Sequence, residues 1–237
     1  MPRALRFVVV LAALVAALLI VASGPGTRLG WWDFRIGFVL MLWAMYVGFT
    51  AAVLALILVA IPRTRGPRAS VLVVAIVLGA MAGAPAIGLR TRAQSLPYIH
   101  DISTDTVDPP AFVALEGARK AAPNGLAYGG PEVAAAQAKG YPDIRPLVVS
   151  SPPAQAFGRA LDAARAMGWE IAASEAASGR IEATATTPWY GFKDDVVVRI
   201  RPEGAGSRID VRSMSRVGES DVGANAARIR KYLARLA

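Results

Sequence analysis

The sequence predicts N-terminal transmembrane α-helices followed by an α+β domain, with an antiparallel sheet packed by helices. Three observations carry this expectation. Three uncharged apolar runs fill the first ninety of 237 residues. From Leu147 onward, short stretches with a two-residue alternation follow one another through tight turns. The charge also divides between the halves. Residues 1–92 hold nine arginines and one acid, Asp33, whereas the rest of the chain holds seventeen basic and sixteen acidic residues. The net +9 therefore belongs to the flanks of apolar segments. It is not the clustered footprint that nucleic-acid binding requires, and no nucleic-acid partner is expected. Hydrophobic residues make up 54% of the chain and charged residues 18%, below the ~25% charged of soluble domains.

The first apolar run lies between Arg6 and Arg28, the second spans Ile36–Pro62 and the third Ala69–Leu89. Each reaches the ~20 residues that a helix needs to cross hydrocarbon. Arg3 and Arg6 ahead of the first run also fit a signal peptide. However, no clear small-x-small cleavage site precedes Pro25, and further spans follow. Loop arginines set orientation. The triplet Arg63, Arg65 and Arg68 favours the cytoplasm for the loop between spans two and three. Three spans with the N-terminus inside then place everything after Leu89 in the periplasm. Trp31, Trp32 and Phe34 would lie at the outer interface. Gly79, Gly83, Pro85 and Gly88 in the third span suit close helix packing. No acid lies inside a span, so a proton relay has no parts. With no cysteine, disulfides, thiolate metal sites and thiol catalysis are excluded.

Residues 93–110 read as an extended linker carrying a His-Asp motif, ahead of a domain at 111–237. Asp108-Pro109-Pro110 starts a helix expected over 111–121, and the Gly/Pro/Ala-rich 123–146 reads as a packed loop. A strand at 147–150 precedes a helix opened by Pro152-Pro153 and ended by Gly168. Strands follow at 169–174, 180–187, 194–201 and 208–214, and Asp221 caps a last helix running to about Leu236.

Several groupings have chemical potential. His100 and Asp101 with Asp105 and Asp108 offer an imidazole and carboxylates for acid–base or hard-metal chemistry. Yet His100 is the sole histidine, and the same acids serve equally to cap turns. Asp194 and Asp195, adjacent in a strand, point to opposite faces and cannot share one site. Opposite the apolar face lie Glu182, Arg199, Arg201, Asp210, Arg212 and Arg216. These either pair across strands or form an arginine shelf for an anion. On the shelf reading, Arg212 and Arg216 face the ligand while Glu182 and Asp210 hold them in place. Asn225 and Arg228 on the last helix are expected to reach toward Arg216 or Asp221 as a polar clamp. Ser213 and Ser215 lack a nucleophile elbow, and Gly125, Gly129 and Gly130 lack phosphate-loop spacing.

Four ordered motifs resemble a known family. They are Tyr98-Ile99-His100-Asp101-Ile102-Ser103-Thr104-Asp105-Thr106 with Pro109-Pro110-Ala111-Phe112; Gly179-Arg180-Ile181-Glu182-Ala183-Thr184; Trp189-Tyr190-Gly191-Phe192-Lys193-Asp194-Asp195-Val196; and Arg212-Ser213-Met214-Ser215-Arg216-Val217-Gly218 with Asp221–Ile229. Over residues 96–236 the chain resembles the domain-of-unknown-function family 1499 of bacteria and plants. The resemblance implies a family but brings no activity or catalytic residues with it.

The sequence thus points to a multi-pass inner-membrane protein displaying a non-enzymatic periplasmic module. Its expected partners are the lipid bilayer and an envelope protein or lipid. Its expected binding residues are His100, Asp101, Asp105, Arg199, Arg212, Arg216, Asp221, Asn225 and Arg228, with neither cofactor nor metal. The alternative is a periplasmic hydrolase using His100 and the neighbouring acids.

Overall fold

The computed structural model describes residues 2–65 and 69–237. Arg68 of the arginine triplet lies outside them. The chain forms two compact units, Met1–Arg92 with Pro188–Gly191, and Ala93–Thr187 with Phe192–Ala237.

In the first unit, α1 (Pro2–Arg28), α2 (Phe34–Ala60) and α4 (Ala69–Ser95) are each 27 residues long, and the short α3 (Pro62–Arg65) follows α2. The three long helices have the length and apolar composition to cross a membrane. Asp33 caps α2 by accepting the Arg35 N–H at 2.9 Å. The helices meet through small residues, as expected where lipid offers no hydrophobic drive for association. Val9, Ala13, Ala51, Ala55, Leu58, Leu72 and Ala75 form the shared core. A Cβ placed on Gly79 would stand 2.3 Å from the Gly48 carbonyl oxygen, so two backbones touch there. Gly83 seats the Phe49 ring, whereas Gly88 has nothing within 4 Å and is not a packing residue.

The second unit is a six-stranded antiparallel sheet with helices against it. Its elements are β1 (Asp101–Ser103), α5 (Glu116–Lys120), α6 (Gly130–Gly140), β2 (Leu147–Val149), α7 (Pro153–Ala166), β3 (Glu170–Glu175), β4 (Arg180–Thr186), β5 (Lys193–Glu203), β6 (Gly206–Ser215) and α8 (Ala224–Leu233). The strand order is β1-β6-β5-β4-β3, and β2 shares the outer edge of β6 with β1. One face carries Ile181, Ala183, Val196, Val198, Ile209 and Val211 into a core closed by Phe157, Ala160, Ala226, Ile229 and Tyr232 of α7 and α8. Trp169 stacks on Tyr232 at 4.8 Å, and the Tyr232 hydroxyl donates to the Ala160 carbonyl at 2.8 Å.

Three local expectations change. Asp101–Ser103, within the stretch read as an extended linker, is a strand paired with Arg212–Met214. The expected helix over 111–121 begins only at Glu116, because the chain first turns to lay Phe112 and Leu115 on Val197 and Met214. The expected loop at 123–146 contains α6, which Pro131 enters at its first turn, where no N–H is lost. Buried Gln137 of α6 then completes β1. Its side-chain amide donates to the Ser103 carbonyl at 2.7 Å and its oxygen accepts the Ser103 N–H at 2.9 Å.

Candidate functional site

Alternation along β4, β5 and β6 sends Glu182, Asp195, Arg199, Arg201, Asp210 and Arg212 to the face away from the α7–α8 core. Cross-strand register sets Arg180 opposite Arg199 and Arg199 opposite Asp210. It also sets Glu182 opposite Val197, and Val197 opposite Arg212. The face is as charged as the sequence suggests, but its charges are spent internally. At one end Arg199, Arg201 and Arg208 surround Asp105, Asp108 and Asp210. Asp210, fully buried, accepts from Arg201 at 2.9 Å, Arg199 at 3.1 Å and Arg208 at 2.9 Å. Arg208 reaches Asp105 at 2.8 Å and Arg199 reaches Asp108 at 3.0 Å. Burial pushes the Asp105 carboxyl up, but the N–H groups of Asp108 and Val107 and the guanidinium groups of Arg208 and Arg199 outweigh it. The net pKa lies below the ordinary value.

Further along, buried Arg212 grips Asp101 with two prongs, Nε to Oδ1 at 3.0 Å and Nη2 to Oδ2 at 2.8 Å. Phe112 and Tyr128 stack on its guanidinium at 5.1 and 5.5 Å. Asp195 takes Arg119 at 3.1 Å, Arg216 at 2.9 Å and the Thr184 hydroxyl at 2.8 Å. Glu182, fully buried, accepts the backbone N–H groups of Val113, Ala114 and Leu115, each at 3.0 Å. The expected division of labour is therefore corrected. Asp101 and Asp195, not Glu182 and Asp210, hold Arg212 and Arg216, and Arg212 is no open shelf. Loop 105–128 lies over this face, and it supplies the partners that strand register alone does not reveal.

The polar clamp on α8 exists, with more partners than the sequence suggested. Asn225 accepts from Ser213 at 2.7 Å and donates to the Ser215 hydroxyl and the His100 carbonyl, both at 3.0 Å. Arg228 donates to Ser213 at 2.9 Å and pairs with Asp194. Neither side chain takes Arg216 as its partner, but the Asn225 side chain does meet the Asp221 carboxyl, as expected. Asp221 caps the start of α8, accepting the N–H groups of Gly223 at 2.8 Å and Asn225 at 2.7 Å. Asp194 and Asp195 sit on opposite faces, and each is buried against arginine.

The nine candidate residues thus divide between two faces of the sheet rather than converging. Of the nine, His100 and Asp101 line one cleft. This cleft, about 480 Å³, is lined by Tyr98–Asp101 on one side and by Pro123–Gly125, Ala127, Gly129 and Val133 on the other, with Met214 and Glu219. The Tyr98 hydroxyl donates to Glu219 at 2.7 Å, which holds its pKa above the ordinary value. His100 Nδ1 lies 3.3 Å from the Glu219 carbonyl oxygen. Asn124 anchors the opposite loop through the carbonyls of Ser215 and Gly218 at 3.2 and 2.8 Å. Beside the cleft, burial pushes the Tyr128 hydroxyl up to about 12, and that hydroxyl has no hydrogen-bond partner among the described residues. Among the described residues no lysine or arginine lines the cleft, so its lining suits a hydrogen-bond donor or a cation better than an anion. The carboxylates that accompany His100 in sequence are engaged by arginines. Among the described residues no group of three His, Asp or Glu side chains is placed to hold a metal ion.

Sequence reasoning missed Tyr98 and Glu219 as cleft residues. It also missed Arg119, which is fully buried and ties the Asn124 and Gly125 carbonyls at 2.8 and 2.9 Å to Asp195. A single arginine in a short polar segment carries no such signal. Residues 101–236 match the model of a family described as a protein of unknown function, DUF1499. The chain belongs to this family. The DUF1499 match begins at Asp101, the partner of Arg212, and so takes in every buried ion pair of the sheet; Tyr98 and His100 lie just ahead of it. No curated protein matches the chain.

Proposed function

We propose that this DUF1499 protein is a multi-pass bacterial inner-membrane protein that displays its C-terminal domain in the periplasm. There the domain works by binding an envelope protein or a lipid. The observation that carries this reading is the pairing of the domain's central charges. Asp101, Asp105, Asp194, Asp195, Glu182 and Asp210 are each held by arginine or backbone N–H groups, so none is poised as a free acid or base. The cleft at Tyr98, His100 and Glu219 is left to meet a partner, with the exposed Glu219 carboxylate as its charged feature. Polar groups at such a cleft fix orientation while the apolar wall of Ile99, Val133 and Met214 supplies contact area.

A photo-crosslinking residue at position 98, in cells carrying the full chain, tests this. The expected result is a discrete adduct absent from the same probe at exposed Val148. The adduct's mass separates a lipid from a protein. Equal, diffuse labelling from both positions would remove the cleft from consideration. A stoichiometric divalent metal in the purified protein would instead favour hydrolytic chemistry.

A further inference from the structure

The membrane unit contains a segment from far along the chain. Pro188–Gly191, the tip joining β4 to β5, belongs to the same compact unit as the apolar helices. Arg28 Nη1, at the end of α1, donates to the Pro188 carbonyl at 2.6 Å. The Tyr190 ring meets Phe38 edge-on at 5.0 Å, and its hydroxyl lies 3.7 Å from Met41 Sδ. Two glycines form the seats. A Cβ on Gly24 would stand 2.1 Å from Trp189 Cδ1, and one on Gly37 would stand 2.9 Å from Tyr190 Cε1.

Helix length converts these contacts into depth. A 27-residue helix at ~1.5 Å per residue is ~40 Å long, against ~30 Å of hydrocarbon, so ~5 Å extends past the hydrocarbon at each end. Gly24 lies four residues, ~6 Å, inside the C-terminal end of α1, and Gly37 three residues, ~4.5 Å, inside the start of α2. Both seats therefore lie where hydrocarbon gives way to headgroups, one helical turn deeper than the 29–33 loop with Trp31 and Trp32. Trp189 keeps 46% of its surface exposed and Trp31 68%. A half-exposed indole favours this boundary, where its ring is out of water and its N–H remains wet.

We propose that Trp189 and Tyr190 form a lipid-contacting anchor, with the Trp189 ring in the headgroup boundary of the leaflet that holds loop 29–33. The anchor rests on the three helices crossing a bilayer and is independent of what the cleft binds. The chain has no cysteine, so single nitroxide labels report one site each. The full chain is placed in nanodiscs of phosphatidylcholine and phosphatidylglycerol, with labels introduced by Trp189→Cys, Met81→Cys at the middle of α4 and Val107→Cys, which is 95% exposed.

The ratio of oxygen to nickel-chelate accessibility at 189 should lie several-fold above that at 107 and below that at 81. A value equal to that at 107 overturns the proposal. A water-like value at 81 instead overturns the membrane crossing on which the proposal rests. A second measurement leaves the indole in place. With 5-fluorotryptophan throughout, the ¹⁹F resonance that Trp189→Phe removes should be broadened by a headgroup-nitroxide lipid as strongly as the one that Trp31→Phe removes. An unbroadened Trp189 resonance means a tip that packs on protein alone, and the anchor fails.

Discussion

Arg212 shows what a buried guanidinium does in this fold. Its two-pronged bond to Asp101 and its place between Phe112 and Tyr128 need a planar, forked cation. A lysine ammonium supplies neither the fork nor the stacking surface. Arg212→Lys is therefore expected to destabilise the domain by about 3 kcal/mol or more, as broken buried pairs do. Urea unfolding followed by circular dichroism checks it, and a loss under about 1 kcal/mol, typical of exposed pairs, would contradict the burial. Asp221 makes a separate prediction. Burial pushes its carboxyl above the ordinary value, against the N–H groups of Asn225 and Gly223, and the charge of Asp194 pushes it further up. The folded state then binds this proton more tightly than the unfolded chain. Its contribution to stability is full below the unfolded value near 4 and falls as pH rises through the folded value. Asp105, held below its ordinary value, acts oppositely and only at lower pH. Asp221→Asn should flatten the decline of melting temperature from about pH 4 upward; parallel profiles for the two proteins would refute it.

At the scale of elements, the contact of α2 with α4 is the sharpest test. Gly79 brings its backbone against the Gly48 carbonyl, whereas Gly88 on the same helix faces open space. Gly79→Ile should force the helices apart, at a cost of roughly 1–3 kcal/mol for overpacking. It should lower the melting temperature in detergent, and Gly88→Ile should leave that temperature unchanged. Equal effects would mean that intrinsic helix propensity, not the crossing, sets the outcome. The same contrast explains which elements were legible beforehand. The spans, α7, α8 and strands β3 to β6 follow from uninterrupted apolar length or from a period that burial imposes. β1 was not legible, because three residues buried against β6 and Gln137 show no period. α6 was not legible because its start, Gly129-Gly130-Pro131, reads as a breaker until the helix beyond it is seen. Asn225 and Arg228 were legible as a clamp because they lie three apart on one face of α8, but their partners on β6 and β5 were not.

For the whole molecule, the number of crossings decides the side. On the proposed reading, in which all three candidate helices cross, residue 96 onward would lie on the side of loop 29–33, opposite the N-terminus. Alkaline phosphatase, active only outside the cytoplasm, is expected to be active when fused after Ala237 and inactive when fused after Arg63. The reverse pattern would place the DUF1499 domain in the cytoplasm and end the periplasmic reading. By itself the sequence determined the membrane helices, the antiparallel sheet, its charged face and the family, because each is written in local length, period or motif. Tertiary structure decided which acid holds which arginine, that His100 stands apart from Asp105 and Asp108, and that a cleft opens at Tyr98 and Glu219. The reason is physical. A strand's period tells which face a side chain joins, but its partner comes from whichever distant segment folds over that face. Here loop 105–128 supplies Arg119, Phe112 and the backbone N–H groups that Glu182 requires.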